Sequence, residues 1–207
     1  LMLNLNKKMI ALILIGGKSQ RMGGGIKSFI KLNNKDIFSR ILERITPQIE
    51  KIIINCNIKE KKLTNYGLPI IQDIKKGYLG PLAGIHTAMN WININEPKIE
   101  WLVTLPGDTP FIPFDLISRF KEKLSSKSKI IIAQSANKNH PIIGLWHISL
   151  YKSLDEELTK GVRKIMSWAE LHPIEYINFP ISKFDPFFNI NTKEDIKTAL
   201  RIEKEFL

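Results

Sequence analysis

Cysteine is almost missing from this sequence. The single copy among 207 residues, Cys56, excludes an internal disulfide framework and a zinc site built on several cysteines. It stands in KIIINCNI, residues 51–58, with no activating neighbour, so packing accounts for it better than nucleophilic chemistry. Long apolar runs are missing too. None approaches the ~20 residues needed to span a bilayer, so no membrane role is expected. The opening LMLNLNKKM has neither an apolar h-region nor a small-residue cleavage site and reads as no secretory leader. We expect residues 1–8 to form a flexible extension and residues 9–207 a single domain, in the cytoplasm. Acidic residues are few, 20 against 31 Lys and Arg, which leaves a net charge of +11. The lysines are scattered, and no dense arginine–aromatic tract accompanies them. A solvated basic face is therefore favoured over a nucleic-acid groove.

What is present has the rhythm of an α/β protein. Hydrophobic residues make up 43% of the chain, enough for a full core. Strands are expected at Met9–Ile15, Lys51–Asn55, Leu68–Gln72, Trp101–Leu105, Lys129–Gln134, Ile142–His147 and Ile174–Phe179. Helical spacing marks Ile37–Ile49, Leu82–Trp91, Phe114–Leu124, Leu150–Thr159, Val162–Leu171 and a C-terminal helix, Thr192–Phe206, that Thr192 can cap. Ser28–Leu32 reads as a short extended piece and Ala136–Asn139 as a polar turn. Alternation of strands and helices implies a mostly parallel sheet with right-handed crossovers, whose ligands sit beyond the carboxyl ends of the strands. Gly16-Gly17, Asn55, Asp73 and Asp108 each fall at such an end.

The chain is organised around ALILIGGKSQRMGGGIK, residues 11–27. A buried-looking strand ends in a glycine-rich basic loop, which is how α/β proteins build phosphate sites. Arg21 and Lys27 can bring full charges to polyphosphate oxygens. Neither G-x-x-x-x-G-K-[ST] nor G-x-G-x-x-G follows the strand, so the two commonest phosphate loops are excluded. A second signal is LPGDTPFIP, residues 105–113. Asp108 directly follows a buried strand, where a carboxylate can bind Mg2+ or, more plainly, cap the next helix or make an Asx turn.

These motifs resemble those of nucleotidyltransferases of the sugar-nucleotide and cofactor type. The loop matches at Leu14, Gly16, Gly17, Arg21, Met22, Gly23 and Lys27. With DTPFIP the resemblance narrows to the molybdenum cofactor guanylyltransferase family. Asn55 in IINCN, Asp73 ahead of GPLAG (residues 80–84), His140-Pro141 as an H-P turn, and FNINT (residues 188–192) follow in register. The resemblance implies a Rossmann-like three-layer nucleotidyltransferase fold. It implies transfer of GMP from GTP to the phosphate of molybdenum-bearing molybdopterin, with release of pyrophosphate. Molybdoenzymes or their chaperones would receive the product.

By the same resemblance, Leu14, Ile15, Gly16, Gly17, Lys27, Asn55, Asp73 and Asp108 bind GTP, and Asp108 is the Mg2+ ligand. Arg21, Lys27 and Asp108 form the catalytic set. Whether Asn55 or Asp73 reads the base stays open. On the molybdopterin side stand His140, Arg163, Asn189 and Asn191. Each also has a plainer reading: a turn histidine, a solvated helix face, and caps at a helix entry where the resemblance suggests metal or phosphate binding. Trp91, Trp101, Trp146 and Trp168 are expected to pack.

Two positions depart from the family pattern. Ile15 replaces the usual alanine and is expected to narrow the base pocket. Ile26 replaces a common aspartate and is expected to leave Lys27 without an orienting partner. These departures keep two other readings open, a related CTP- or sugar-phosphate nucleotidyltransferase and a nucleotide-binding module without catalysis.

Overall fold

The computed structural model describes residues 8–16, 26–77 and 80–206. In chain order the strands are β1 (Met9–Leu14), β2 (Lys31–Leu32), β3 (Lys35–Asp36), β4 (Ile52–Asn55), β5 (Ile70–Ile71), β6 (Trp101–Pro106), β7 (Ile130–Ser135), β8 (Lys138–His147) and β9 (Ile174–Asn178). The helices are α1 (Ile37–Ile45), α2 (Lys61–Thr64), α3 (Pro81–Asn95), α4 (Leu116–Lys123), α5 (Tyr151–Thr159), α6 (Ile165–Ala169) and α7 (Lys193–Phe206). Seven strands make one sheet in the order β5-β4-β1-β6-β8-β7-β9, and β2 with β3 form a small hairpin beside it. β1 runs parallel to both β4 and β6, and β9 runs parallel to β7. Only β8 opposes its neighbours, so the sheet is mostly parallel, as the sequence pattern implies.

The central strands are apolar on both faces because helices cover both faces. Along β1 the side chains alternate. Met9, Ala11, Ile13 and Ile15 join a core with Phe38 and Ile41 of α1, Phe120 of α4 and Ile202 of α7. Ile10 and Leu12 join a second core with Ile85 and Met89 of α3, Leu154 of α5 and Trp168 of α6. The result is a three-layer α/β arrangement with β1 and β6 at its centre. Trp146 and Trp168 are fully buried and stack at 5.4 Å, so these two indoles pack as expected. No helix among the described residues is long and apolar enough to cross a membrane.

Local chemistry sets several boundaries. Asp36 caps α1, accepting from Ser39 N–H at 2.7 Å. The helix is shorter than the 37–49 expectation, because Pro47 turns its last residues into a 3-10 turn, Thr46–Gln48. At α7, Thr192 Oγ1 accepts from Asp195 N–H while Asp195 Oδ2 accepts from Thr192 N–H, a reciprocal cap. Likewise Ser28 opens no strand: Lys27–Phe29 is a 3-10 turn ahead of β2.

The larger correction concerns β8. Ala136 and Asn137 both have positive φ, 48° and 57°, and close a tight β7–β8 hairpin. The strand therefore starts at Lys138, well before Ile142. His140-Pro141 is no turn but lies inside the strand. Proline is accommodated because the ladder is interrupted there. Ala133 pairs with His140 and Ile132 with Gly144, so residues 141–143 bulge out of register.

Thr104 of β6 holds this bulge in place. Fully buried, its hydroxyl donates to Ile142 C=O at 2.6 Å and accepts from Trp146 Nε1–H at 2.9 Å. Thr104→Val keeps the shape but orphans both partners. It is expected to cost about 1–3 kcal/mol in urea unfolding, with Thr104→Ser losing distinctly less.

Candidate active site

The carboxyl ends of β1, β4, β5 and β6 open into one cavity of about 810 Å3. β8 runs antiparallel to β6, so its first half reaches the same end of the sheet. The cavity thus has two walls with β6 between them. One carries Leu14, Gly16, Asn55, Asn57 and Asp73. The other carries Asn139, His140, Phe187 and Asn189. Asp108 and Lys27 sit between the two. This is the crevice position that open α/β sheets use for ligands.

Asp108 is held by its neighbours' backbone. Gly107 N–H donates to Leu14 C=O at 3.0 Å, and Gly107 C=O accepts from Ser28 Oγ at 2.6 Å. Asp108 C=O accepts from Ile190 N–H at 2.9 Å, tying the turn to the segment before α7. Only glycine fits at 107, since a Cβ would lie 2.6 Å from Ser28 Oγ and 3.1 Å from Leu14 O. The Asp108 side chain is about three-quarters covered. Its pKa is raised, because loss of solvent outweighs the Lys27 charge beside it.

Lys27 Nζ stands 3.9 Å from Asp108 Oδ2 and donates to Asn191 Oδ1 at 2.5 Å. Ile26 therefore does not leave Lys27 without a partner. Asn191, brought in by the chain ahead of α7, supplies the orienting bond. Asn191 itself stays outside the cavity lining, while Asn189 faces it.

On the first wall, Asn55 Nδ2 donates to Asp73 Oδ1 at 2.9 Å. Asn57 closes the same carboxylate from the other side. Its Nδ2 donates to Asp73 Oδ2 at 2.7 Å, and its Oδ1 accepts from Asp73 N–H at 2.8 Å. Sequence reasoning passed over Asn57, although the N-x-N spacing puts both amides on one side of an extended chain. Helix α3 approaches this group through Gly84, where a Cβ would lie 2.6 Å from Asn55 Oδ1 and closer still to Leu14 Cδ2.

Ile15 borders the cavity, but its side chain is only 3% exposed and belongs to the core. It packs with Ile13 against the α1 side of the sheet while still forming part of the cavity's edge. Arg163 is exposed, and its guanidinium donates to Leu158 and Val162 carbonyls at 2.9 and 2.8 Å. The structure does not bring it into the cavity. Gly17 and Arg21 lie outside the described residues.

Among the described residues Asp108 is the one carboxylate between the two walls. No group of three His, Cys, Asp or Glu gathers among the described residues. A lone hard-oxygen donor facing a wide cavity suits Mg2+, which takes one or two carboxylates and completes its shell with water and phosphate oxygens.

The chain matches the MobA-like NTP transferase domain over residues 11–174. It is 37% identical over 194 residues to a molybdenum cofactor guanylyltransferase of Rhodopseudomonas palustris, covering 93% of this chain and 92% of that one. A protein of the same name from Nitrobacter hamburgensis is 37% identical over 192 residues, at 92% of each chain. Among solved structures, molybdopterin-guanine dinucleotide biosynthesis protein A of Archaeoglobus fulgidus superimposes with a TM-score of 0.76 at 27% identity, covering 96% of this chain and all of that one.

The raised pKa of Asp108 has a measurable sign. Folding favours its protonated form, so this contribution is fullest below the ordinary carboxylate pKa and is lost as pH rises through the folded value. Asp108→Asn is therefore expected to melt at a higher temperature than the parent at pH 7.5, with the difference closing near pH 3.5. A variant that melts lower at both pH values would refute the desolvation argument.

Proposed function

The chain belongs to the MobA-like NTP transferase family and, within it, to the molybdenum cofactor guanylyltransferases, and from that premise we propose how its residues perform the reaction. It transfers GMP from GTP to the phosphate of molybdenum-bearing molybdopterin and releases pyrophosphate. The observation that carries the residue assignment is the two-walled cavity, with Asp108 and Lys27 between the walls. A transferase must hold two phosphorylated substrates on either side of one phosphorus atom.

The first wall takes the nucleotide. Ile15 N–H is taken up by Asn55 C=O at 2.9 Å, so the backbone at Gly16, where open space surrounds the missing side chain, is the part of β1's end that base or phosphate can approach. The Asp73 carboxylate, fixed by Asn55 and Asn57, offers acceptors to a donor pair such as the guanine N–H edge or the ribose hydroxyls. The second wall takes the pterin and its phosphate, with Asn189 on that side.

An oxygen of the acceptor phosphate attacks the α-phosphorus of GTP. The new P–O bond forms as the bond to the β-phosphate breaks, and charge moves onto pyrophosphate. The attacking oxygen is anionic near neutral pH, so positioning and charge stabilisation carry the rate. Lys27 meets the growing charge on the leaving group, and its tether to Asn191 keeps the ammonium in place. Asp108 is the residue that would hold Mg2+. When bound, that ion supplies neutralisation of phosphate charge. Arg21 is assigned to the triphosphate by its position in the loop sequence.

Calorimetry with GTP, CTP, ATP and UTP in Mg2+ is expected to show a clear preference for GTP. Lys27→Ala and Asp108→Ala are each expected to lower pyrophosphate release by about 10²–10³-fold, the usual size for a lost charge-stabilising group. Equal binding of all four nucleotides would overturn the guanine assignment.

A further inference from the structure

The second wall contains a polar chain that nucleotide binding does not use. Ser135, fully buried at the end of β7, donates to Asp185 Oδ1 at 2.7 Å and lies 2.7 Å from His140 Nε2. Asp185 Oδ1 also accepts from Phe187 N–H at 2.9 Å. A hydroxyl has one proton to give, and a carboxylate only accepts. Ser135's proton is committed to Asp185, so His140 Nε2 must carry a hydrogen and donate it to Ser135. The ring nitrogen that gains or loses a proton is then Nδ1. Among the described residues Nδ1 makes no hydrogen bond. The ring itself lines the cavity, tilted against Phe187 with centroids 4.9 Å apart.

We propose that His140, held by Ser135 and Asp185, receives the acceptor's phosphate monoester on Nδ1 and orients the oxygen that attacks. This inference rests on the guanylyl-transfer reading and deepens it on the acceptor's side. The proton balance is simple. A phosphate monoester has its second pKa near ~6, so it arrives as monoanion and dianion. From the monoanion, the phosphate O–H bond breaks and an Nδ1–H bond forms. From the dianion, one proton from solvent reaches Nδ1. Both routes end with an imidazolium beside a phosphate dianion, and Asp185 supplies the countercharge through the Ser135 hydroxyl. The charged groups acting on the ring are Asp185, which favours its cation, and Lys138, which opposes it. Burial, the largest influence, lowers the ring's pKa and favours its neutral form.

The plainer role for this chain is to staple the β7–β8 hairpin to the 185–187 segment. Nitrogen-15 NMR of the histidine rings, with the first wall filled by a GTP analogue carrying an α,β-methylene bridge, separates the two. Wild type is expected to show the Nε2–H form of His140 and, on addition of inorganic phosphate, a raised pKa with protonation at Nδ1. Ser135→Ala is expected to lose the tautomer preference and most of the phosphate response.

In steady state, His140→Gln is expected to raise KM for the acceptor about tenfold or more, the size of one charge-assisted hydrogen bond. GTP affinity should stay unchanged, and the acidic limb of the kcat/KM profile should flatten. A His140 signal indifferent to phosphate, or a variant that weakens GTP and acceptor equally, would overturn the proposal. Failure of the wild type to bind GTP would instead sink the guanylyl-transfer reading, and the phosphate response of His140 would still decide this one.

Discussion

A carboxylate withdrawn from water beside one lysine is the constraint on which this site depends. Asp108 stands at the end of β6, the strand between the two walls, and its surroundings withhold the solvation that an ion prefers. Its backbone is secured from three directions, by Leu14 of β1 and Ser28 through Gly107, and by Ile190 ahead of α7. These are distant parts of the sequence, so the turn is rigid only when the fold is complete. Lys27, at 3.9 Å, is too far for a direct hydrogen bond and too near to be ignored. The pair is therefore incomplete, and polyphosphate is the kind of ligand that completes it. Stability is lost to a group whose partners arrive with the substrate, which is how functional sites commonly depart from the best-packed solution.

Sheet order explains why the cavity has two separate surfaces, as the proposed placement of two substrates requires. β1, β4 and β5 lie on one side of β6, and β8, β7 and β9 on the other. The parallel half ends in loops that carry Gly16, Asn55 and Asp73. The antiparallel strand β8 enters from the opposite direction and delivers its first residues, Asn139 and His140, to the same end. A fully parallel sheet would have buried that part of the chain at the other edge of the molecule. Reversal of one strand is what gives the second wall side chains of its own.

The fold class and most of the first wall were legible in the sequence because short-range chemistry determines them. Apolar runs ending in glycine, asparagine or aspartate mark strand ends, and Leu14, Asn55, Asp73 and Asp108 all line one cavity. What escaped was set by register and by partners far along the chain. Pro141 reads as a turn signal in sequence. Only the bulge opposite Ile132 and Ala133 reveals that a strand can carry it. Ile26 reads as the loss of a carboxylate next to Lys27, but Asn191, 164 positions away, provides the bond. Ile15 reads in sequence as a wider side chain at the cavity; that it is also a member of the core beside Ile13 shows only once the strand's facing is known. Arg163 has the right charge for a phosphate, yet it is absent from the cavity lining and its Nη1 is tied to carbonyls of its own turn. Ser135 and Asp185 gave no local signal, since their chemistry exists only through their contact.

The two walls also differ in how they hold charge. On the first, both Asp73 oxygens are engaged by amides that cannot change protonation state, Asn55 and Asn57, so the acceptor pattern that this wall presents is fixed. On the second, the chain ends in an imidazole, whose charge can follow that of its ligand. Under the proposed placement of the substrates the contrast has a purpose. A nucleoside keeps one donor pattern at neutral pH, and a rigid complement discriminates by leaving wrong partners unpaired. A phosphate monoester has two protonation states in the same pH range. A fixed cation would favour the dianion only, and a fixed neutral donor would hold it weakly, whereas a histidine accepts either form and converts it to the same bound pair.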